Sequence, residues 1–288
     1  MPNVLITGVT GLLGNHLSER LTGLGCNVYG LTRENSIAKY ESVKIDLSSD
    51  WKISELPTKV DVIYHLVQSN KFRDFPACAP DVFQVNINST AKLLNYAKNT
   101  GVKNFIYASS GGIYGSRNKP FVENEPILPL GELGFYLGSK ACGEILVKSY
   151  AKIFQVNIVR PFFLYGRAQK REMLIPRLFD NIVNARPIHL SGKNGISLNP
   201  IHVRDSVLAL TAILNRSDSQ TYNLGGPEIL SIRQICNLFG TYLDKSPNFK
   251  QSSDLPKDLV GDISLISKVL HKPNIKLSEV VSDISGEI

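Results

Sequence analysis

The sequence has little cysteine, no long hydrophobic run and no concentrated basic segment. No CxxC pair or Cys/His cluster occurs, so the cysteines predict free thiols in a reducing compartment rather than a disulfide framework or a zinc site. The four cysteines are Cys26, Cys78, Cys142 and Cys236. No apolar run approaches the length of a membrane span, and the N-terminus enters an apolar strand without the features of a signal peptide. We therefore expect a cytoplasmic protein with no metal site and no membrane partner.

The excess of positive charge does not indicate a nucleic-acid partner. The net charge is +7, but the lysines and arginines are scattered along the chain. No basic helix with interleaved aromatic residues is present, so we expect no binding of nucleic acid. A basic surface around a site for a polyanionic small molecule accounts for the same charge.

Short apolar runs alternate with helical patterns over the first 160 residues. The predicted strands are residues 3–8, 27–31, 43–45, 60–67, 104–110 and 156–160, and the predicted helices are residues 14–24, 81–100 and 135–153. Strands that are apolar on both faces and alternate with helices predict an α/β fold with a doubly wound parallel sheet of Rossmann type.

After residue 160 the regular alternation stops, because glycine and proline turns separate short elements. Only residues 174–185 and 203–214 keep a helical pattern there. We therefore predict a dinucleotide-binding domain over residues 1–165 and a small C-terminal substrate lobe formed mainly by residues 166–288. The chain is expected to cross back to the first domain near residues 196–225.

Three glycines lie between the first predicted strand and the first predicted helix, at Gly8, Gly11 and Gly14. Glycine is needed where the chain turns tightly, where the backbone approaches a pyrophosphate and where a helix packs closely on a strand. The helix N-terminus, which includes Leu12 and Leu13, then offers free N–H groups and a partial positive charge. This loop predicts the binding of a dinucleotide phosphate.

Tyr136 and Lys140 are four residues apart in a predicted helix, which places their side chains on one face. A tyrosine that exchanges a proton with a substrate oxygen needs a pKa below its usual value near 10. A neighbouring ammonium lowers that pKa through its charge. YxxxK alone is weak, but Ser110, at the end of the preceding predicted strand, supplies a third polar group. We therefore predict Ser110, Tyr136 and Lys140 as the catalytic residues.

In this order, the GxxGxxG loop, the serine pair that ends at Ser110 and the YxxxK motif resemble the extended short-chain dehydrogenase/reductase family. Later segments extend the resemblance over most of the chain: residues 160–166 are similar to R-P-x-x-V-Y-G, 199–205 to I-H-V-x-D and 222–226 to Y-N-x-G. The resemblance implies an NAD(P)-dependent enzyme that moves a hydride. It also implies that Ser110 bonds the substrate oxygen and that Lys140 bonds the nicotinamide ribose.

The same resemblance implies further residues around the cofactor. They are Asp46 and Leu47 at the adenine, Leu66 and Val67 along the cleft, Asn86 as a brace of the active site, and Pro161 and Phe163 near the nicotinamide. An equal alternative for Asp46 is the cap of a helix over residues 47–51. His65 is expected to be structural rather than catalytic.

Arg33 decides the expected form of the cofactor. An acidic residue at the tip of the second strand favours NAD, whereas a basic residue accommodates a 2′-phosphate. Arg33 lies at that tip and can bind a phosphate through two hydrogen bonds, although the adjacent Glu34 could pair with it or reach a ribose. The sequence therefore favours NADP, with NAD as the alternative.

Two positions limit which of the family's reactions the chain is expected to catalyse. Dehydratases of the family carry Asp-Glu where this chain has Gly111 and Gly112, which have no group for acid/base elimination. Sugar-nucleotide epimerases of the family often have asparagine at the position of Phe163, which weakens the case for a nucleotide sugar as the substrate.

A nucleotide-sugar epimerase or 4-ketoreductase is favoured as the function of the chain. An NADPH-dependent reductase of a non-sugar carbonyl and a non-catalytic NADP-sensing regulator are the alternatives. A homodimer through residues 81–100 and 135–153 is also expected from the resemblance.

Overall fold

The structure is a computed structural model and describes residues 1–34 and 40–286. It divides into two compact units. The first comprises Met1–Ile113, Ile127–Arg160 and Leu210–Tyr222, and the second comprises Tyr114–Pro126, Pro161–Ala209 and Asn223–Ile288. Residues 210–222 thus return to the first unit after the chain has built most of the second.

The strands of the described residues are β1 (Asn3–Thr7), β2 (Asn27–Thr32), β3 (Glu41–Lys44), β4 (Val62–His65), β5 (Asn104–Ala108), β6 (Gln155–Pro161), β7 (Leu164–Tyr165), β8 (Ile188–Ser191), β9 (Ser197–Leu198), β10 (Ile201–His202), β11 (Gln220–Leu224), β12 (Leu230–Ser231) and β13 (Phe249–Ser252). The α-helices are α1 (Leu12–Gly23), α2 (Ala79–Phe83), α3 (Ser89–Thr100), α4 (Gly134–Lys148), α5 (Leu174–Val183), α6 (Val203–Ala212), α7 (Ile232–Leu243), α8 (Ser264–Val269) and α9 (Ser282–Ser285).

Seven of these strands form the central sheet, in the order β3-β2-β1-β4-β5-β6-β11. The pairings that join β1 to β6 are all parallel. The strand order reverses between β1 and β4, and ligands of doubly wound sheets bind beyond the carboxyl ends of the strands at such a reversal. The predicted fold class is confirmed, and the edge beyond β1 and β4 is the place to look for a site.

Helices pack on the sheet because their apolar residues recur on one face. Leu93, Leu94 and Ala97 of α3 are buried in one core cluster with Leu5 and Phe105 of the sheet. A π-helical turn, Gln84–Asn88, joins α2 to α3, so the predicted helix over 81–100 is continuous but irregular. The predicted helix over 135–153 is shorter than expected and ends at Lys148.

The second unit contains pairs of short strands rather than a large sheet. Its pairs are β7 with β10, β9 with β12, and β8 with β13. Its core is an apolar cluster that includes Phe179 of α5 and Phe239 of α7, whose rings meet edge to face with centroids 5.5 Å apart. Among the residues that the structure describes, no helix combines the length and apolar character that crossing a membrane requires.

Candidate active site

The loop between β1 and α1 is shaped by glycine. Gly8 has a φ of +69°, which favours a residue without Cβ. A Cβ on Gly14 would lie 2.2 Å from the carbonyl oxygen of Gly8, so only glycine lets α1 start this close to the loop. The N-cap residue, Gly11, has no side chain to bond the N–H groups of the first helical turn. Those groups lack intrahelical acceptors and so fit an anionic phosphate, with Leu12 and Leu13 in that first turn.

The end of β4 packs directly against this loop. The Thr7 hydroxyl oxygen accepts hydrogen bonds from the backbone N–H groups of Leu66 at 3.1 Å and Val67 at 3.2 Å. A Cβ on Gly8 would lie 3.0 Å from Cα of Val67. The residues predicted from the first strand and from the fourth therefore lie together at the point where the strand order reverses.

His65 joins this edge to α3. Its Nδ1 lies 2.8 Å from the hydroxyl of Thr7, and its Nε2 lies 2.8 Å from the hydroxyl of Thr90. Burial, with a smaller contribution from the charge of Lys140, lowers the pKa of His65 to about 3. The ring is therefore neutral at physiological pH and fully hydrogen-bonded, which favours the structural role expected for it.

Asn86 lies in the π-helical turn and connects two other parts of the site. Its Nδ2 donates to the hydroxyl of Ser139 at 2.9 Å, and its Oδ1 accepts from the backbone N–H of Ser69 at 3.0 Å. Ser139 belongs to α4 and donates in turn to the carbonyl of Tyr136 at 2.7 Å. Asn86 thus holds α4 in place, and π-helical turns are frequent at functional sites.

Two of the three predicted catalytic side chains lie near each other, and the third lies one turn along α4. Ser110 lies near Tyr136, and its hydroxyl lowers the pKa of the phenol. The Tyr136 hydroxyl donates to Oε1 of Gln68 at 2.7 Å. Lys140 is buried, and its Nζ donates to the carbonyl of Ala108 at 3.0 Å. Gln68 was not predicted from the sequence. The only signal that could have indicated it is its position two residues after Leu66, in the segment predicted to lie along the cofactor cleft.

The pKa values in this group differ from the expectation. Burial raises the pKa of Tyr136 to about 12, while the Ser110 hydroxyl and the charge of Arg73 act in the opposite direction. Burial also lowers the pKa of Lys140 to about 7. The expected lowering of the Tyr136 pKa by Lys140 is not found, because the same burial that surrounds the phenol disfavours the ammonium.

Behind the catalytic residues lies a buried ion pair that sequence reasoning missed. Nε and Nη2 of Arg160 donate to the two carboxylate oxygens of Glu144, at 2.8 and 2.7 Å. Burial alone would raise the pKa of Glu144, but the hydrogen bonds and charge of Arg160 lower it. Glu144 is four residues after Lys140, a spacing that marks a shared helix face, but nothing local points to Arg160.

The structure excludes one of the two interpretations of Asp46, and its place at the adenine stays a prediction. Residues 47–51 contain no helix for Asp46 to cap, and its Oδ1 accepts from the backbone N–H and hydroxyl of Ser48, at 2.9 and 2.8 Å, in a turn. Leu47 is buried. The pKa of Asp46, which burial would raise, is lowered by the bonds from Ser48 and by the charge of Arg33. Arg33 is exposed, so these opposite charges face each other beyond β2 and β3.

Pro161 and Phe163 belong to the second unit. Pro161 is the last residue of β6, and Phe163 has a φ of +54°, a left-handed conformation that is unusual for a residue with a large side chain. The carbonyl of Phe163 accepts from the backbone N–H of Ile201 at 3.3 Å. Such strained backbone is frequent at functional sites.

The segment after Ser110 has no acid or base. A Cβ on Gly112 would lie 3.0 Å from Cδ2 of Leu137 and 3.4 Å from Oγ of Ser110, so this space is already filled. Within residues 1–34 and 40–286 there is also no group of three or more His, Cys, Asp or Glu side chains arranged to hold a metal ion.

Comparison with known proteins places this geometry in context. A model of the NAD dependent epimerase/dehydratase family matches residues 4–225. The chain is 26% identical over 297 residues to an uncharacterized UDP-glucose epimerase of Bacillus subtilis, covering 93% of this chain and 92% of that protein. It is also 26% identical over 303 residues to UDP-glucuronate 4-epimerase of Thermodesulfobacterium geofontis, covering 96% and 92%.

Among solved structures, UDP-glucuronic acid 4-epimerase from Bacillus cereus, in complex with UDP-glucuronic acid and NAD, superposes with a TM-score of 0.85. The match covers 99% of this chain and 98% of that one at 23% identity, and it shows the fold.

Proposed function

The chain belongs to the NAD-dependent epimerase/dehydratase family, and from that premise we propose that it is a UDP-sugar 4-epimerase. The relatives described above are named as epimerases of UDP-glucose and UDP-glucuronate. The observation that carries the proposal is that Ser110 and Tyr136 lie near each other, next to a segment with no acid or base. This arrangement serves proton exchange at one oxygen and offers nothing for the removal of water.

In this proposal NAD, when bound, supplies the hydride acceptor and donor. The glycine loop Gly8–Gly14 and the N-terminus of α1 hold its pyrophosphate, and Lys140 bonds its ribose. The fit rests on the close approach that Gly14 permits and on the uncapped first turn of α1.

The chain's own residues handle the proton. Tyr136 takes the proton of the sugar hydroxyl when the carbon is oxidised and gives it back when the carbon is reduced, while Ser110 bonds the same oxygen. A phenol with a pKa raised to about 12 is a ready acid but a poor base at neutral pH. Oxidation therefore requires that charge at the occupied site favour the phenolate.

We propose NAD as the resident cofactor, because the solved epimerase that the chain superposes on holds NAD. The preference for NADP predicted from Arg33 finds no support in the relatives and stays a prediction. The charge of Arg33 already faces Asp46, which makes it less available to a 2′-phosphate. Asp46, Leu47, Leu66, Val67, Asn86, Pro161 and Phe163 stay proposed as residues around the cofactor.

The second candidate is a ketoreductase that uses NADPH once per turnover, and exposed Arg33 is the observation that favours it. A non-catalytic NADP-sensing protein is disfavoured, because the chain keeps Ser110, Tyr136 and Lys140 together. A homodimer through α2–α3 and α4, a cytoplasmic location and the substrate-binding role of the second unit stay predictions.

The test is to incubate the purified protein with UDP-glucose and with UDP-glucuronic acid and to follow the sugar C4 proton by NMR. We expect conversion to the 4-epimer without added cofactor, and mass spectrometry should find NAD in the protein as purified. No epimer, together with steady consumption of NADPH on a 4-keto sugar, would establish the reductase instead. Tyr136→Phe is the inactive control.

A further inference from the structure

Gln68 contacts the atom on which the proposed chemistry depends. Its Oε1 accepts the hydroxyl hydrogen of Tyr136 at 2.7 Å. It lies just beyond β4, in the segment that also places the ring of Phe72 against that of Tyr136, with centroids 4.6 Å apart. Both side chains are half-buried, so the bond is partly shielded from water.

The Tyr136 hydroxyl has a single hydrogen, which limits the hydrogen bonds that it can form. A tyrosine hydroxyl has one hydrogen to donate and accepts through its oxygen lone pairs. The hydrogen goes to Gln68, so any other group that bonds this oxygen, Ser110 included, has to donate to it. The hydrogen that Gln68 accepts is therefore the one that the proposed reaction moves.

The other half of the Gln68 amide is available. In the part of the chain that the structure describes, Nε2 of Gln68 donates to no protein atom. A carboxamide carries an acceptor and two donor hydrogens on adjacent atoms, and the two ends exchange places when the last side-chain bond rotates. The same side chain can thus accept from a phenol and donate to a phenolate without any movement of the backbone.

We propose that Gln68 is a further catalytic residue, whose carboxamide bonds the Tyr136 oxygen in both of its protonation states and turns over as the proton leaves and returns. This inference rests on the proposed function, in which Tyr136 acts alternately as base and acid. A hydrogen bond to a charged group is stronger than one between neutral groups. The amide therefore stabilises the phenolate more than the phenol and favours the deprotonated form overall.

The other groups that face Tyr136 are accounted for. Arg73, in the same segment as Gln68, lowers the Tyr136 pKa through its positive charge, and the Ser110 hydroxyl, at the end of β5, lowers it as well. Lys140, on α4, is buried, and burial lowers its own pKa to about 7. Tyr107 of β5 stays protonated because burial raises its pKa. Gln68 can present either its acceptor end or its donor end to the Tyr136 oxygen, and the acceptor end faces that oxygen in this structure.

The test uses Gln68→Met, which keeps the length of the side chain and removes both hydrogen-bonding ends, and Gln68→Glu, which offers only acceptors. The holoenzyme is labelled with tyrosine carrying 13C at Cζ, and the Tyr136 signal is identified by its loss in Tyr136→Phe. We expect its titration midpoint to rise by about one pH unit in Gln68→Met, because an ionic hydrogen bond exceeds a neutral one by about 1 kcal/mol. It should rise further in Gln68→Glu, where a negative charge opposes the phenolate.

Activity gives the second readout. The low-pH limb of kcat/KM for epimerisation should move to higher pH in the same order, since oxidation requires the phenolate. Gln84→Met is the matched control, because Nε2 of Gln84 bonds the carbonyl of Ser49 at an exposed position. An unmoved or lowered Tyr136 midpoint in Gln68→Met would overturn the role of Gln68. A raised midpoint in a protein that epimerises no UDP-sugar supports that role and counts against the proposed reaction alone.

Discussion

Two parts of the same sheet edge are built by opposite means. The loop beyond β1 is formed by backbone, and its shape depends on the absence of a Cβ at Gly14, which would lie 2.2 Å from a carbonyl oxygen. The region around α4 is formed by side chains that reach each other from distant points of the sequence, such as Tyr136 with Gln68 and Glu144 with Arg160. We therefore expect the loop to be disrupted by substitutions that add atoms, and the side-chain region to be disrupted by substitutions that remove or change a polar group.

The largest effect should follow from removing one oxygen in the side-chain region. Tyr136→Phe deletes the hydroxyl that donates to Gln68 and leaves the packed ring against Phe72. We expect kcat to fall by about 10²- to 10⁴-fold, the usual contribution of general acid–base catalysis. The affinity for NAD, measured by calorimetry, should change little. Unchanged turnover would remove Tyr136 from the mechanism.

The next largest effect should come from the ion pair behind the site. Glu144→Gln removes the carboxylate charge that pairs with the buried guanidinium of Arg160, and we expect a loss of about 3–5 kcal/mol in the free energy of unfolding, measured in urea at pH 7. The matched control is Asp218→Asn, which breaks the partly exposed pair with Arg216 and should shift the urea midpoint far less.

The same variant gives a pH dependence with a defined sign. The pKa of Glu144 is lowered in the folded protein. Its stabilisation is therefore complete above the unfolded pKa, about 4.3, and is lost as the pH falls through the folded value. The difference in unfolding free energy between wild type and Glu144→Gln should shrink in acid. A difference that stays constant with pH would show that the carboxylate charge is not what stabilises the pair.

A smaller effect should follow from adding one carbon to the loop. Gly14→Ala forces α1 away from the carbonyl of Gly8, and overpacking of this kind costs about 1–3 kcal/mol. If this whole cost appears as weaker cofactor binding, the affinity for NAD falls by roughly 5- to 150-fold. Gly23→Ala, in the same helix, is the control, because its Cβ would meet nothing within 4 Å. Equal affinities in the two variants would contradict the account of the loop.

The smallest effect should be at Arg33, which is exposed and faces Asp46. Arg33→Ala should weaken NADP binding about fivefold at most and leave NAD binding nearly unchanged, since exposed ion pairs contribute little. Dissociation constants for both cofactors test this. A large loss of NADP affinity would restore the preference for NADP predicted from the sequence.

The contrast between the two regions also explains what could be predicted from the sequence. Gly8, Gly11 and Gly14 could be predicted because the backbone geometry of the loop requires glycine at fixed positions close together in the sequence. The alternation of strands and helices was sufficient to predict the parallel sheet, because this alternation is visible in the periodicity of the apolar residues. The alternative of a helix over residues 47–51 is not realised, although the Asp46 carboxylate accepts from the backbone N–H of Ser48 as a helix cap would, so this local signal does not decide the structure.

The missed residues share one physical property. Gln68 and Tyr136 are 68 positions apart, and the Tyr136 pKa depends on burial that no local pattern reports. The lowering that Lys140 was expected to cause is absent for the same reason, because burial also lowers the pKa of the lysine. Contacts between distant residues and their desolvation arise only when the chain is folded, whereas the spacing of the glycines can be read directly from the sequence.

The central claim is that the hydride removed from the sugar returns to the same carbon. The direct measurement uses UDP-glucose carrying deuterium at C4 and follows the label by mass spectrometry and NMR. The account predicts that the 4-epimer keeps its deuterium at C4 and that NAD is neither consumed nor released. Loss of the label to water, or its appearance in a released reduced cofactor, would contradict it.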